Sequence, residues 1–174
     1  KPGQTPKALI RILGDLDRTQ AEVFSSLANY VVDFIHTDGQ IESQPVLLYN
    51  HDTSSGKSPL VGIHDGLLTD SKLRDLSSLG LLSFDTSPFP NACIHAGTPT
   101  MTIRYFNEEA VIKTTKKMNL FTGRIAFTSA GAALFRALSP TKHADFFDCI
   151  KDYWGKHNQP QAVRSCARLF FVLP

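Results

Sequence analysis

The sequence predicts an α+β fold in one domain, and three observations support this. Apolar residues at helical spacing occur near both ends of the chain, each after residues that favour a helix start. Between these helices, short apolar runs are separated by stretches rich in Gly, Pro and Ser, as expected for strands and turns. The 174 residues are 42% hydrophobic and 20% charged, which is typical of one globular domain.

Two helices joined by a short polar turn are predicted first. Thr5-Pro6 provides a capping hydroxyl and a first-turn proline for the first helix. Thr19 and Glu22 have the spacing of a capping box for the second, which Asp38-Gly39 is expected to end. The predicted inward stripes are Leu9, Ile12, Leu13 and Leu16 in the first helix, and Val23, Phe24, Leu27, Ala28, Val31 and Ile35 in the second.

The middle of the chain is predicted to alternate between strands and one helix. Residues 46–49 and 60–63 are short apolar runs, which we expect to be extended. Thr69 is expected to cap a helix that Gly80 ends, with Leu73, Leu76 and Leu79 inward. A strand over 81–84 and a proline-containing loop over 85–99 follow.

The second half of the chain is predicted to contain further strands and two helices. Residues 101–106 and 123–127 are expected to be strands, whereas 110–115 fits either a strand or a short helix. Thr128 or Ser129 is expected to cap a helix that Pro140 ends, with Ala130, Ala133, Leu134 and Leu138 available for packing. A last helix from Thr141 to Gly155 and a terminal strand over 169–173 complete the prediction.

This order of elements is that of a winged helix with an enlarged β-wing. We predict a winged-helix-like unit over 5–138, made of a helical hairpin, a helix and the wing, with residues 139–174 as a C-terminal helical extension and tail of the same domain. In this arrangement Gly80 lets the chain reverse into the first wing strand, and Gly131 removes a side chain where the closing helix approaches the sheet. The residues that carry the pattern are Leu73-x-x-Leu76-x-x-Leu79-Gly80-Leu81-Leu82 and Phe127-Thr128-x-x-Gly131-x-x-Leu134.

These two motifs resemble an LxxLGLI…LTxxGxxL pattern of bacterial winged-helix proteins. Residues 5–138 more specifically resemble the C-terminal domain of an uncharacterised bacterial family related to the Abi-alpha abortive-infection proteins, whose helical pair precedes the winged segment. The matching helical segments here are 9–16 and 20–27. Phe127 in place of the usual leucine, and the proline-rich insertion at 86–99, depart from the family pattern. The resemblance implies an accessory role near phage defence, and no catalytic residue to carry over.

Composition and charge restrict the function classes. The ordinary globular composition excludes fibrous and disordered chains. A membrane-spanning helix is excluded because no apolar run reaches about 18 residues. No signal peptide is visible, and because the chain begins with Lys1 we expect a piece of a longer protein. The three cysteines, Cys93, Cys149 and Cys166, are widely spaced, which favours a reducing, cytoplasmic compartment over disulfides.

The leading hypothesis is a non-enzymatic interaction or accessory domain, without a cofactor, that binds a protein partner or the rest of its own chain. The aromatic residues of the last helix extend around more than one side of it, and core packing competes with exposure as their explanation. An apolar terminal strand likewise leaves an edge that needs to be covered, and an oligomer would cover it. The candidate interaction residues are Phe147, Trp154, Phe170 and Phe171.

The alternative hypothesis is a DNA-binding domain that uses the 69–79 helix and a basic wing. The net charge of +2 hides an acidic first part, −3 over residues 1–80, and a basic second part, +5 over 81–174. Asp70 and Asp75 on the 69–79 helix would repel phosphates, which places DNA second to protein. The candidate nucleic-acid contacts are Lys72, Arg74, Lys113, Lys116, Lys117 and Arg124.

A third hypothesis is an enzyme with its site near His51, Asp52, His64 and Asp65. His-Asp pairs serve as metal ligands, but here both pairs fall in predicted loops, where solvated side chains are the simpler explanation. Ser55-Gly56-Lys57-Ser58 lacks the first glycine of a phosphate loop. Neighbouring side chains in an extended loop point apart, so the thiol and imidazole of Cys93-Ile94-His95 are not expected to meet as a catalytic pair. We therefore predict no catalytic, cofactor or metal site.

Overall fold

A computed structural model describes residues 7–49, 60–63, 65–84, 93–95, 100–113, 119–157 and 170–172. The fold is α+β, as predicted. The helices are α1 (Lys7–Asp15), α2 (Arg18–Ala28), α3 (Asp70–Ser78), α4 (Ser129–Phe135) and α5 (Phe146–His157). The strands are β1 (Val31–Ile35), β2 (Ile41–Pro45), β3 (Leu82–Phe84), β4 (Cys93–His95), β5 (Thr100–Tyr105), β6 (Glu108–Lys113), β7 (Asn119–Phe121), β8 (Ile125–Phe127) and β9 (Phe170–Val172).

The largest sheet has five antiparallel strands in the order β2-β1-β5-β6-β9. Two further antiparallel pairs, β3 with β8 and β4 with β7, form separate two-stranded sheets. This arrangement differs from the predicted enlarged wing. The segment between β3 and β8 contributes β5 and β6 to the five-stranded sheet instead of lengthening the β3–β8 pair.

Helix α5 covers one face of the five-stranded sheet. Its Trp154 ring lies 6.1 Å from that of Phe34 on β1, and Phe146 and Phe147 lie 5.1 and 5.8 Å from Tyr105 on β5. These side chains belong to one hydrophobic core, which also includes residues of α1, α2 and α3. Helix α5, predicted as part of a C-terminal extension, is thus integral to the core, because it supplies Trp154, Phe146 and Phe147.

The α3–β3–β8–α4 segment follows the sequence prediction closely. Helix α3 is followed by Gly80 at φ +83°, a conformation that favours glycine and allows the chain to turn into β3. Thr128, rather than Ser129, caps α4: its hydroxyl oxygen accepts from the Gly131 N–H at 3.1 Å and its O–H donates to the Gly80 carbonyl at 2.6 Å. One threonine therefore links the end of α3 to the start of α4.

The prediction that the second helix continues to Ile35 is wrong. Helix α2 ends at Ala28, and Val31–Ile35 instead forms β1, paired with β2 on one side and β5 on the other. The β-branched residues of this segment favour a strand, and the buried Phe34 packs against α5. Asp38-Gly39, expected to end a helix, lies in the β1–β2 hairpin, with Gly39 at φ +83°.

Four smaller corrections concern element ends and strands. The capping box of α2 is made by Asp17 and Gln20, not by Thr19 and Glu22. Residues 46–48 are buried but form no strand. The last helix begins at Phe146 instead of Thr141 and passes Gly155. Residues 93–95, expected in a loop, form β4, which pairs with β7.

Candidate functional site

Two of the predicted DNA-contacting residues lie around one tyrosine. The guanidinium of Arg124, which precedes β8, lies 5.9 Å from the centre of the Tyr49 ring. Arg74 on α3 lies 4.3 Å from the centre of the Phe84 ring on β3. Both arginines are exposed. Contact with an aromatic face holds each guanidinium in place without neutralising its charge. We call this group, with Tyr49, the Arg74–Arg124 surface.

The charges of both arginines act on the Tyr49 hydroxyl group. Burial and the hydrogen bond that the hydroxyl donates to Asp70 raise the pKa of Tyr49 well above its usual range. The positive charges of Arg124 and Arg74 oppose this rise. Within the described part of the chain, neither arginine forms an ion pair with a carboxylate. The surface therefore has two cations without a carboxylate partner, whereas Asp70, hydrogen-bonded to Tyr49, adds a negative charge to it.

The other basic candidates are not all brought to this surface. Lys72 lies on α3, two residues before Arg74, and is partly exposed. Lys113 ends β6 and thus belongs to the five-stranded sheet, whereas Arg124 adjoins the β3–β8 pair. Lys116 and Lys117 lie outside the described residues. The structure accordingly supports only part of the predicted basic wing as one surface.

The aromatic interaction candidates of the last helix are in the core, and their prediction as a surface is corrected. Phe147 is 1% exposed and Trp154 is 0% exposed. The Trp154 Nε1–H donates to the Phe121 carbonyl at 2.7 Å, which satisfies its polar group internally. Both rings are buried because α5 packs on the inner face of the sheet. Phe170 and Phe171 lie on β9, the predicted terminal strand, which pairs with β6 at one edge of that sheet.

Exposed apolar side chains occur instead on the first helix. Leu9 and Ile12 of α1 face the core, whereas Ile10 is 63% exposed and Leu13 is 47% exposed. The sequence prediction had placed Leu13 in the inward stripe. A signal was present, because five apolar residues within 9–16 are more than one helical stripe can hold. We call Ile10 and Leu13 the α1 ridge.

The outer face of the five-stranded sheet is a second face with apolar side chains. Cross-strand partners point to the same side of a sheet, so the register gives the residues that share a row. An ion-paired row runs beside an apolar one: Arg104 bonds to Asp33 at 3.0 Å, and Ser43 donates to Asp33 at 2.7 Å. The second row, across β2, β1, β5 and β6, is Ile41, Ile35, Thr102 and Val111, of which three are apolar.

The described residues give little support to the enzyme hypothesis. Asp65 accepts hydrogen bonds from the Ser26 hydroxyl and, at 2.8 Å, from the Leu67 N–H, so its carboxylate has structural partners. His51, Asp52, His64 and the 55–58 segment lie outside the described residues. No group of three or more potential metal ligands occurs in the part that the structure describes. Cys149 is a free thiol whose pKa is raised by burial and by the carboxylates Asp145, Asp148 and Asp152.

Comparison with known proteins returned no match, either to a protein family, to a curated protein or to a solved structure. Among the described helices, none combines the length and the hydrophobicity needed to cross a membrane.

Proposed function

We propose that this chain is a non-enzymatic, winged-helix-like interaction domain that binds a protein partner. The observation that carries the proposal is the α1 ridge. A helix that already buries Leu9 and Ile12 exposes a second pair of large apolar side chains, Ile10 and Leu13. Single exposed apolar residues are common, whereas two on adjacent turns of one helix form a continuous apolar surface that another chain would remove from water.

The winged-helix-like class rests on the α3–β3–β8–α4 segment. A helix, a glycine turn and two antiparallel strands, followed by a capped helix, match the order expected of such a unit. The bacterial, phage-defence setting rests on the sequence resemblance alone and is proposed on that basis. A cytoplasmic location is proposed because three widely spaced cysteines favour a reducing compartment.

Site-specific photocrosslinking tests the interaction proposal. A benzophenone amino acid replaces Ile10, and the chain is irradiated in extract from its source organism. We expect a specific adduct that is lost when Leu13→Lys is added, because a lysine would place a charge within the docking surface. The matched control adds Ile41→Lys, which alters an equally exposed apolar residue on β2 (54% exposed) and should leave the adduct unchanged. Absence of any adduct dependent on Leu13 contradicts the proposal.

DNA binding is the second candidate, and the Arg74–Arg124 surface favours it. Two exposed guanidiniums, one on α3 and one beside β8, would contact phosphates from the helix and the wing together. Lys72 would add to this surface. Lys113, Lys116 and Lys117 stay candidates from the sequence alone. Asp75, exposed on the same helix, acts against binding, so the surface is weakly rather than strongly basic.

Fluorescence anisotropy with a duplex of mixed sequence, at several salt concentrations, tests this candidate. We expect affinity to fall steeply with salt, and Arg74→Gln with Arg124→Gln to reduce both the affinity and the salt slope. Arg136→Gln, which removes an exposed arginine after α4, is the matched control. Binding that does not depend on salt, or that both variants weaken equally, excludes the Arg74–Arg124 surface as the DNA contact.

A further inference from the structure

The two cations of the Arg74–Arg124 surface lie at one end of the β3–β8 pair. The Arg74 guanidinium lies over the ring of Phe84, whose register partner on β8 is Ile125. Arg124 immediately precedes Ile125, and its guanidinium lies over the Tyr49 ring. Both charges also act on the Tyr49 hydroxyl group. Segments that are separate in sequence therefore bring two guanidinium groups to one place.

The acid beside Arg74 on the same helix is bonded elsewhere. Asp70 precedes Arg74 by four residues, a spacing at which an acid and a base on one helix can pair. Among the described residues, however, Arg74 has no carboxylate partner. The Asp70 carboxylate instead accepts the hydrogen bond that the Tyr49 hydroxyl donates. Tyr49 therefore holds the one acid that would otherwise neutralise Arg74.

The other charged residues of α3 point in different directions from Arg74. A helix turns by about 100° per residue, so Lys72 lies about 160° around α3 from Arg74. Asp75 lies about 100° from Arg74 and is exposed. Helix α3 therefore carries no stripe of cations, and the cations at this end of the β3–β8 pair, within the described residues, are Arg74 and Arg124.

We propose that the Arg74–Arg124 surface binds one phosphate monoester group, carried by a phosphoserine or phosphothreonine of a partner protein. Such a group has a charge of about −1.5 to −2 at pH 7 and three acceptor oxygens, which suit two guanidinium groups. The inference rests on the proposed protein-binding function and adds a chemical feature of the partner, at a surface formed by other elements than the α1 ridge.

The arrangement of charges favours a single phosphate over a duplex. Duplex DNA carries one charge per about 1.7 Å of its axis, so a duplex that reaches both arginines also brings phosphates near the exposed Asp75. A single phosphate between the two guanidinium groups need not approach that side of α3. Asp70 stays close to either ligand, so we expect binding of the phosphate group to be weak.

NMR spectroscopy of the arginine side chains in the full chain tests the proposal, because each Nε–Hε group reports on its own guanidinium. The probe is a short peptide of glycine and alanine with one phosphoserine, and the control peptide has serine in its place. We expect saturable shifts of Arg74 and Arg124 with the phosphopeptide alone, weaker below about pH 6, where the phosphate gains its second proton. No saturable shift at either arginine overturns the proposal.

Substitutions at the surface identify the contacts. Arg74→Gln and Arg124→Gln should each weaken phosphopeptide binding by about tenfold, because each removes a charged donor to the phosphate. Arg136→Gln, which removes an exposed arginine after α4, is the matched control and should bind as the unaltered chain does. Circular dichroism checks that each variant is folded. Equal binding by all three variants overturns the assignment of the phosphate to this surface.

The role of Tyr49 has a separate test. Tyr49→Phe should weaken binding by about twofold, because it frees Asp70 to pair with Arg74. Asp70→Asn should strengthen binding, and adding Tyr49→Phe to it should then have no further effect. A Tyr49→Phe variant that weakens binding equally with and without Asp70→Asn overturns the proposed role of Tyr49 in holding Asp70.

Two further probes separate the sources of the phosphate. Inorganic phosphate that binds more tightly than the phosphopeptide overturns a protein as the carrier. A DNA duplex that binds through both arginines, where the phosphopeptide does not, overturns the phosphate monoester and supports the DNA candidate. The photocrosslinking at position 10 does not depend on these titrations, so failure of the α1 contact and failure of the phosphate site are distinguishable.

Discussion

The carbonyl group of Leu81 occupies the space that a side chain at Gly131 would need. A Cβ at Gly131 would overlap the Leu81 carbonyl oxygen, and it would lie 3.0 Å from the carbonyl carbon and 3.2 Å from Cδ1 of Phe127. Helix α4 thus lies directly against the backbone that enters β3. Backbone atoms cannot yield as a flexible side chain can, so only glycine fits at this position.

Gly131→Ala should accordingly lower the free energy of unfolding by about 2 kcal/mol or more, since the overlap forces α4 away from β3. Urea unfolding followed by circular dichroism measures this. Gly66→Ala is the matched control, because a Cβ there would meet nothing within 4 Å, and its effect should stay within about 0.5 kcal/mol. Equal effects at the two positions would refute the close approach of α4 to β3.

The capping box of α2 gives a test that separates the structure from the sequence prediction. The Gln20 N–H donates to the Asp17 carboxylate at 2.7 Å, and the Asp17 N–H donates to the Gln20 side chain at 3.0 Å. Asp17→Ala should cost about 1 kcal/mol of stability because it leaves an end donor of the helix without its partner. Thr19→Ala should have almost no effect, because Thr19 lies inside the helix and makes no cap. A larger loss for Thr19→Ala in urea unfolding would support the sequence-predicted cap.

Trp154, the one tryptophan of the chain, should report a buried indole. We expect blue-shifted fluorescence, poor quenching by acrylamide and a red shift on unfolding. Trp154→Phe should cost about 1–3 kcal/mol, since the Phe121 carbonyl then loses its donor in a buried setting. Phe147→Leu is a control for lost aromatic volume without a lost hydrogen bond. Emission typical of an exposed indole would contradict the burial of Trp154 and would support its prediction as an interaction residue.

The tyrosines predict a loss of stability at alkaline pH. Each of the four, Tyr30, Tyr49, Tyr105 and Tyr153, has a pKa raised mainly by burial, and that of Tyr30 rises from 10.0 to about 12. The unfolded chain loses its tyrosine protons near pH 10, whereas Tyr30 in the folded chain keeps its proton until about pH 12. The contribution of Tyr30 to stability is therefore complete below pH 10 and is lost as the pH rises through about 12.

The size of this effect can be measured at one residue. Tyr30 alone accounts for a loss on the order of 2 kcal/mol between pH 10 and pH 12. Urea unfolding at a series of pH values measures it, with Tyr30→Phe as the variant that should show a shallower fall over the same range. Asp65→Asn should lower the pKa of Tyr30, because the Asp65 charge contributes to the shift. Stability that is constant across this range contradicts the burial of the Tyr30 hydroxyl.

Local signals in the sequence were sufficient to predict several helices and turns. The three leucines and Gly80 predicted α3 and the turn after it, and Thr128 and Gly131 predicted the start of α4 and its close approach. Each depends on groups a few residues apart, or on a glycine with a steric reason to be present. The 31–35 segment was misassigned because its apolar spacing also fits a helix, although Val31, Val32 and Ile35 favoured a strand.

The candidate sites could not be predicted from local sequence, because they depend on contacts between residues far apart along the chain. Local spacing allowed Phe147 and Trp154 to be either core or surface, and only the five-stranded sheet beneath α5 decided that they are buried. The nearness of Arg74 and Arg124 to Tyr49 joins three segments that are separate in sequence.

The sequence by itself determined the α+β class, the ends of α3 and the capped start of α4, because propensity, caps and glycine geometry act over a few residues. Only the tertiary structure decided which apolar residues form the core and which form the α1 ridge. The physical reason is that burial is decided by what packs against a residue, and in this chain β1, the β5–β6 hairpin and β9 come together from segments far apart in sequence.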